Sequence, residues 1–279
     1  MAAPTPAPAR TPLVLEPGTP IVEFSHVSIG FDRDTVLKDI SFTVHHGEMR
    51  IILGPAGCGK SVIMKLANGL LTPDSGEVRA FGRSLATLSP REMFEIRAHI
   101  GMVFQESALF DSLDVEDNVA YRLVEEHCDP TEIHTRVVEA LRFVELEQAI
   151  NKFPSELSGG MRRRVSIARA IVSKPDLILY DSPTGGLDPI TSTTIIELII
   201  KQRDVSQTTS LLITHRIQDA FTLASHRYNS ADGKMEPIPD GGIDPSTKFL
   251  VLNEGHVVFD GTTQELLSTT DDWLRSFIS

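Results

Sequence analysis

The stretch Met49-Arg-Ile-Ile-Leu-Gly-Pro-Ala-Gly-Cys-Gly-Lys-Ser61 decides how this 279-residue chain folds. Its first part, Met49 to Leu53, is a compact apolar run that predicts a buried strand. The glycines that follow let backbone N–H groups curl around an anion, which Lys60 neutralises and Ser61 links to Mg²⁺. Residues 60–70 have helical character, and strand, loop and helix in this order are the context that a phosphate-binding loop requires. The candidate nucleotide-binding residues of this loop are Gly54, Pro55, Ala56, Gly57, Cys58, Gly59, Lys60 and Ser61.

The composition predicts a folded domain without disulfides. Apolar residues make up 41% of the chain, which is ample for a core. Two cysteines, Cys58 and Cys128, fit a reducing compartment, and Cys58 is interpreted as a tolerated small residue in preference to a redox switch. With 38 Asp and Glu against 26 Lys and Arg, the net charge is -12, so we expect no nucleic-acid partner.

The ends of the chain bound its domain organisation. Residues 1–20 are dominated by Ala, Pro and Thr and lack an apolar segment behind a basic start, which predicts a disordered tail and not a secretion signal. Residues 21–279 are expected to form one nucleotide-binding domain. No apolar stretch approaches the roughly 18 residues that cross a bilayer, so any membrane role must come through a partner.

The periodicity along the chain predicts three regions around the phosphate loop. Residues 21–44 read as antiparallel strands split by a polar turn at 32–34, and residues from about 89 to 172 as a helical subdomain. Residues 247–279 predict a hairpin and two helices, of which the last presents Trp273, Leu274 and Phe277 toward the domain. The stretch from Arg227 to Ser246 is rich in Asp, Gly and Pro and predicts a surface loop.

Two further apolar strands each end on a polar side chain. Leu177 to Tyr180 leads to Asp181, and Thr209 to Thr214 leads to His215. Ligands of α/β folds bind at the carboxyl ends of such strands. Asp181 is expected to hold Mg²⁺ through water opposite Ser61, although an aspartate at a strand end can also simply cap the next turn.

A second glycine-rich segment, Leu157-Ser-Gly-Gly-Met161, indicates which class of nucleotide-binding protein this is. It resembles the signature segment of ATP-binding cassette proteins, in which the Ser-Gly-Gly of one subunit closes over nucleotide held by the phosphate loop of the other. The whole span 21–279 resembles such a cassette. This resemblance implies a phosphate-loop NTPase of the α/β class, with a mixed central sheet, an antiparallel β subdomain and a helical subdomain. It also implies ATP and Mg²⁺ as ligands and a homodimer as the working unit.

The resemblance assigns roles to residues outside the phosphate loop. Gln105 takes the place of the metal-sensing glutamine, Asp188 lies in the dimer-contact loop, and His215 matches the switch histidine. For Gln105 and His215 the alternative is a solvated polar residue at a strand end. Phe31 takes the place of the aromatic that stacks on adenine, unless it is an ordinary core residue. The signature residues are Ser158, Gly159 and Gly160.

A narrower resemblance is to the ATPase of Mla/Mce-type phospholipid transporters. It rests on Met161 in place of the usual glutamine, and on the segments 108–115, 186–192 and 258–262. It implies a cassette homodimer on the cytoplasmic face of the inner (plasma) membrane, bound to an integral-membrane permease, with a lipid-binding partner on the far side. The basic cluster 162–164 could contact phospholipid headgroups, but pairing with acidic neighbours or support of the dimer is preferred.

One position departs from the cassette pattern. The residue after the metal-binding aspartate is a glutamate in the family, where it polarises the attacking water, and here it is Ser182. A serine hydroxyl without its own base cannot accept that proton, which predicts tight nucleotide binding with slow turnover and leaves positioning of water to His215, Gln105 and Asp188. Two functions stay open: a transport ATPase with weakened catalysis, which is favoured, and a non-hydrolysing ATP-gated clamp or regulator. A chromosome- or ribosome-associated cassette fits the acidic charge poorly, and a phosphate-loop kinase leaves the signature unexplained.

Overall fold

A computed structural model of the chain describes residue 13 and residues 18–32 and 34–279. Most of segment 1–20, the predicted disordered tail, lies outside these residues. In chain order the strands are β1 (Val22–Phe31), β2 (Asp34–Val44), β3 (Met49–Leu53), β4 (Ser75–Ala80), β5 (Arg83–Ser84), β6 (Ile100–Val103), β7 (Leu177–Asp181), β8 (Thr209–Ile213), β9 (His226–Asn229), β10 (Lys234–Pro237), β11 (Thr247–Asn253) and β12 (His256–Thr262). The helices are α1 (Lys60–Ala67), α2 (Pro90–Arg97), α3 (Val115–Glu125), α4 (Pro130–Phe143), α5 (Gly159–Ile171), α6 (Pro189–Ser206), α7 (Ile217–Ser225), α8 (Thr263–Leu267) and α9 (Asp272–Ile278).

The central sheet is mixed, as the fold prediction requires. Its strand order is β12-β11-β3-β8-β7-β6, with β12 antiparallel and the other neighbours parallel. The phosphate loop follows β3, His215 follows β8, Asp181 ends β7 and Gln105 follows β6. Because the carboxyl ends of parallel strands meet at one edge, all four segments lie side by side along that edge.

Alternate side chains of the central strands enter two different cores. Ile178 and Tyr180 of β7 pack with the helices α3 to α7, whereas Leu177 and Leu179 pack with α1 and the antiparallel strands. All four are fully buried. Because both faces of the sheet are covered, β3, β7, β8 and β11 read as nearly continuous apolar runs, which is why the sequence located these four strands.

The antiparallel strands predicted for residues 21–44 are confirmed. Strands β1 and β2 pair from Val22 with Val44 to Phe31 with Asp34, and β4 and β5 extend this second sheet in the order β2-β1-β4-β5. The rings of Phe24 and Phe42 stack at 4.6 Å across the pair. The C-terminal hairpin is also confirmed as β11 and β12.

Two expectations about secondary structure were wrong. The stretch 227–246 is not simply a loop, because β9 and β10 form an antiparallel hairpin within it. Helix α6 holds this hairpin, since Asp204 accepts from the Tyr228 amide at 2.7 Å and Glu197 accepts from the Met235 amide at 2.9 Å. The region read as mainly helical also contains β6, whose residues pair with β7 in the central sheet.

The last helix packs on the domain through Leu274, with Phe277 and Ile278 partly buried against the same core. Leu274 is 3% exposed and belongs to the core on the helical side. Trp273 is partly exposed and stacks on Phe277 with ring centroids 5.2 Å apart. Among the residues that the structure describes, no helix has the length and apolar character that a membrane crossing requires.

Candidate nucleotide-binding site

Two positions of the phosphate loop, Gly54 and Gly59, have room only for glycine. Gly54 has a φ of +149°, and a Cβ at this residue would lie 2.4 Å from the carbonyl oxygen of Leu252. Gly59 has a φ of +101°, and its Cβ would lie 2.4 Å from the Cδ2 atom of Leu37. The loop therefore runs close against β11 and β2 before α1 begins. The free N–H groups and the dipole of the α1 N-terminus favour an anion at this place.

Lys60 is directed back across the loop. Its Nζ donates to the carbonyl oxygens of Gly54 and Pro55, both at 2.7 Å, and lies 3.7 Å from the Sγ of Cys58. Cys58 is 7% exposed and forms no disulfide, as expected for a small residue that fills the loop. The ammonium group is thus held at the mouth of the loop, where it can exchange its carbonyl partners for phosphate oxygens.

Asp181 ends β7 beside the cations of α1. Partial burial raises the pKa of its carboxyl group, while the charges of Lys65 and Lys60 and a hydrogen bond from Ser182 act in the opposite direction. The raised pKa means that the ionised carboxylate lacks full compensation from these neighbours. Together with the exposed hydroxyl of Ser61, it offers the oxygen ligands that Mg²⁺ prefers, so the donor set fits this metal ion.

Ser182 directly follows Asp181 and has a strained backbone conformation. Its φ is +47°, and the residue is 8% exposed. Its amide donates to the Ile213 carbonyl at 2.9 Å, and its carbonyl accepts from the Gly185 amide at 2.9 Å, which closes a tight turn. The side chain hydrogen-bonds Asp181 and lowers the pKa of that carboxyl. Since Asp181 can only accept when it is ionised, the Ser182 hydroxyl acts there as a donor.

Gln105 lies against the turn that begins at Ser182. A Cβ on Gly185 would lie 3.3 Å from the Cγ of Gln105, so the absence of a side chain at Gly185 lets the glutamine approach. Gln105 is exposed, as is His215 after β8. Both side chains are therefore accessible at the sheet edge where the phosphate loop and Asp181 lie.

A buried network fixes the backbone around His215. Thr184 donates to Asp219 at 2.5 Å, and Asp219 forms an ion pair with Arg216 at 3.5 Å. Arg216 also donates to the Ser192 hydroxyl of α6 at 2.7 Å. The loop of His215 is thus tied both to the turn of Ser182 and to the start of α6. Nothing in the local sequence pattern signalled this network, because its members come from three elements.

The signature segment and the dimer-contact loop form one exposed surface. Ser158 caps α5 by accepting from the Met161 amide at 3.2 Å, and Asp188 caps α6 by accepting from the Thr191 amide at 3.0 Å and its hydroxyl at 2.5 Å. These hydrogen bonds from Thr191 lower the pKa of Asp188. A Cβ on Gly160 would lie 2.5 Å from the Cγ2 of Thr191, so the two helix starts are in direct contact.

The structure also tests two interpretations of the sequence, one for Phe31 and one for the basic cluster 162–164. Phe31 is 46% exposed, so the alternative that it is a core residue is wrong. Within residues 18–32 and 34–279, main-chain carbonyls and no carboxylates accept from the three arginines of the basic cluster, so pairing with acidic neighbours is wrong, while support of the dimer stays a prediction. Arg162 donates to the Leu157 oxygen at 2.6 Å, and Arg164 donates to the Val144 oxygen at 3.1 Å. The third, Arg163, lies in the interior.

Sequence reasoning did not single out an apolar groove beside Gln105. Its cavity of about 250 Å³ is lined in part by Phe104, Phe110, Tyr121 and Arg169. The rings of Phe110 and Tyr121 lie 4.7 Å apart, and the guanidinium of Arg169 lies over Phe110 at 5.7 Å. The signal available in the sequence was the density of aromatic residues between 104 and 121, which is also compatible with an ordinary core.

Comparison with known proteins agrees with this arrangement. The sequence profile of the ABC transporter family matches residues 37–185. The chain is 33% identical over 252 residues to the intermembrane phospholipid transport system ATP-binding protein MlaF of Haemophilus influenzae, covering 90% of this chain and 87% of that protein. It is 34% identical over 260 residues to the probable ribonucleotide transport ATP-binding protein mkl of Mycobacterium tuberculosis, covering 92% of this chain and 66% of that protein.

A solved structure extends the likeness to three dimensions. The ATP-binding cassette MJ0796, in a dimeric post-hydrolysis state bound to ADP and Pi, superposes with a TM-score of 0.72 at 28% identity, covering 86% of this chain and 98% of that chain. The phosphate loop, Asp181 and the signature segment all lie within residues 37–185, the span that the family profile matches. Nucleotide binding follows from this family, and the chain belongs to the ABC transporter family and carries its ATPase domain.

Proposed function

We propose that this chain is the ATP-binding subunit of a lipid transporter, in which two copies bind ATP and Mg²⁺ at their shared interface and a permease carries the cargo. The observation that carries the proposal is the division of the nucleotide residues between two separate surfaces. The phosphate loop and Asp181 belong to the edge of the central sheet, whereas Ser158 and Gly159 are exposed at the start of α5. Signature residues that stay exposed beyond the helix start that Ser158 caps support a site completed by a second copy.

The surface around Asp188 supports the homodimer. Ile190, two residues further on, is 82% exposed although it is a large apolar residue. An apolar side chain left in water beside a polar loop is typical of an interface. The dimeric state of the MJ0796 cassette gives the same assembly a precedent in a protein of 28% identity.

The groove beside Gln105 supports docking of a permease. Phe104, Phe110, Tyr121 and Val124 are 37%, 41%, 44% and 54% exposed, and they lie on neighbouring elements. Aromatic residues at a concave apolar surface favour protein contacts that bury about 1,000 Å² or more. Because Phe104 directly precedes Gln105, a partner that contacts Phe104 would lie next to a residue proposed to bind Mg²⁺.

The cargo and the location rest on the relatives. The name of MlaF supports phospholipid as the cargo. The proposal includes a peripheral position on the cytoplasmic face of the inner (plasma) membrane and a lipid-binding partner protein beyond the permease, both taken from the resemblance to Mla/Mce-type ATPases. The mkl protein carries the name of a ribonucleotide transporter at similar identity, so a transport assay is needed to choose the cargo.

Phe31 and the metal ligands complete the proposed site. Phe31 is expected to stack on adenine, Lys60 and the loop amides to bind phosphates, and Ser61, Asp181 and Gln105 to hold Mg²⁺. A bound Mg²⁺ would neutralise charge on the phosphates. His215 and Asp188 would orient water, which is a positioning role that phosphoryl transfer depends on.

Ser182 favours one alternative, a non-hydrolysing ATP-gated clamp or regulatory cassette. The hydroxyl hydrogen-bonds Asp181 and is not a base, whereas the residues proposed to bind nucleotide do not depend on it. A clamp would close on ATP and stay closed, while a transport ATPase would release phosphate at a low but measurable rate.

One preparation tests both functions. The full chain is expressed with its native membrane partners and purified in mild detergent, and phosphate release, ATP-induced dimerisation and copurifying membrane proteins are measured together. A permease at equal copy number with slow phosphate release supports the transporter. Dimerisation without phosphate release supports the clamp. A chain that stays monomeric with saturating ATP and Mg²⁺ contradicts both.

Groove variants sharpen the test of docking. Changing both Phe104→Ser and Tyr121→Ser should release the permease and leave ATP binding unchanged. Val205→Ser is the matched control, because Val205 is 55% exposed near the end of α6, outside the residues that line the groove. If Val205→Ser loses the permease to the same extent, the loss comes from a more polar surface in general and not from the groove.

A further inference from the structure

Arg163 is a buried cation in the signature helix. It lies on α5 and is 3% exposed. Its Nη1 donates to the Phe104 carbonyl at 2.5 Å, and its Nη2 donates to the Gln105 carbonyl and, at 3.2 Å, to the Gly185 carbonyl. One guanidinium therefore joins the loop of Gln105 to the turn that begins at Ser182.

The stability of the fold does not account for this residue. Within residues 18–32 and 34–279, Arg163 forms no ion pair with a carboxylate, and its buried Nε has no hydrogen-bond partner. Burial lowers the pKa of the guanidinium, which means that the charged form is disfavoured there. An apolar side chain of similar size would fill this space without that cost, so the reason for a cation here lies in the carbonyls that the guanidinium joins.

The loop that Arg163 holds needs an external support. Ser107 and Ala108 have φ values of +64° and +47°, a left-handed conformation that costs energy for residues with a Cβ. Arg169, also on α5, donates to the Ser107 carbonyl at 3.0 Å. Two arginines of one helix thus hold the loop 104–107 through its carbonyls, and Arg163 alone of the two also reaches Gly185.

We propose that Arg163 is a positioning residue that clamps the loop of Gln105 onto the Ser182–Gly185 turn and thereby places the Gln105 side chain beside Asp181. The forked guanidinium is suited to this because its planar donors reach carbonyls on both segments at once. The inference rests on the proposed function only in taking Gln105 as a ligand of the nucleotide-bound Mg²⁺.

The test compares Arg163→Met and Arg163→Lys with Arg136→Met. Arg136 is a matched control, since its Nη2 donates at 2.9 Å to the carbonyl of Val172 just beyond the other end of α5, away from the nucleotide residues. In nucleotide-free protein, hydrogen–deuterium exchange is followed at the amides of Ser107 and Gly185, which bond to Phe104 and Ser182. Loss of hydrogen bonds to a charged group should accelerate both exchanges about 10- to 100-fold in Arg163→Met.

Mg²⁺ dependence separates positioning from a merely structural role. The half-saturating Mg²⁺ for binding a non-hydrolysable ATP analogue should rise several-fold in Arg163→Met, and binding of the analogue without Mg²⁺ should stay at the parent value. Arg163→Lys, which keeps charge but not the fork, should lie between. Arg136→Met should match the parent in both measurements even if its melting temperature falls.

Several outcomes overturn the clamp. These are unchanged exchange in Arg163→Met, faster exchange without a change in Mg²⁺ dependence, or the same changes in Arg136→Met. If Arg163→Met does not fold, Arg163→Lys decides, and parent-like behaviour in that variant rejects the proposal. A parent protein that binds no nucleotide contradicts the proposed function instead, while the exchange measurement still tests the clamp.

Discussion

Ser182→Glu restores a carboxylate where the cassette pattern has one, and it should raise ATP turnover. The backbone can accept the change. Ser182 already adopts a φ of +47° despite its Cβ, and its amide and carbonyl hydrogen bonds to Ile213 and Gly185 involve main-chain atoms only. Glutamate therefore adds no new backbone strain, and the turn should keep its shape.

The expected gain follows from two opposing effects. A positioned general base contributes about 10²- to 10⁴-fold in rate, which is about 2.7 to 5.4 kcal/mol at about 1.36 kcal/mol per tenfold. Against this, burial already raises the pKa of the adjacent Asp181, and the substitution removes the Ser182 hydrogen bond that lowers it. The negative charge of Asp181 is only partly compensated, so a second carboxylate next to it is unfavourable. We therefore expect kcat to rise by about 100-fold, the lower end of this range.

Phosphate release at saturating ATP and Mg²⁺ measures this gain, with Ser182→Gln as the control of similar size that cannot accept a proton. Turnover of Ser182→Glu should rise with pH as the new carboxyl ionises, whereas Ser182→Gln should stay as slow as the parent. Equal rates in parent and Ser182→Glu, with nucleotide binding intact, would refute the view that residue 182 limits hydrolysis. A similar gain in Ser182→Gln would show that side-chain size, and not a base, is the missing element.

Three further predictions concern stability and assembly. The Tyr180 hydroxyl is fully buried and has no hydrogen-bond partner in the described part of the chain, so Tyr180→Phe should raise the free energy of unfolding by about 1 kcal/mol in denaturant titration; a clear loss would reveal a bonded hydroxyl. Because the pKa of Asp181 is raised, its cost to the nucleotide-free fold is present above the folded pKa and disappears below the unfolded one. Asp181→Asn should thus melt above the parent at pH 8, with a gap that closes as pH falls, and should lose Mg²⁺-dependent nucleotide binding. Ile190→Asp should weaken ATP-induced dimerisation in sedimentation by about tenfold or more, and Ile190→Leu should not.

The parts of the fold that the sequence predicted are those set by local chemistry. Strand β3 and the start of α1 follow from an apolar run, glycines and Lys60, all within thirteen consecutive residues. Asp181 and His215 were located because each follows a fully buried parallel strand, whose apolar run is easy to recognise. Phe31 could be placed on a strand, but its exposure depends on what covers the sheet.

The parts that were missed depend on contacts between distant segments. The hairpin β9–β10 has the Asp and Gly content of a loop, and it is held by Glu197 and Asp204 of α6, about 20 to 40 residues away in sequence. Arg163 lies in a run of three arginines that all look solvated. Its burial follows only from the packing of α5 on the loop 104–107, which no local pattern encodes.

Ser182 is predicted to separate nucleotide binding from hydrolysis in this chain. The turn keeps its left-handed residue, its hydrogen bond to Gly185 and the Thr184–Asp219 contact beside it. A left-handed φ at a residue with a Cβ costs energy, which the hydrogen bonds of this turn offset. The turn brings Gly185 against Gln105 and lets Ser182 donate to Asp181. Both contacts favour a metal-loaded, closed site over rapid proton transfer, so the lifetime of the ATP-bound dimer is expected to set the rate of any transport cycle.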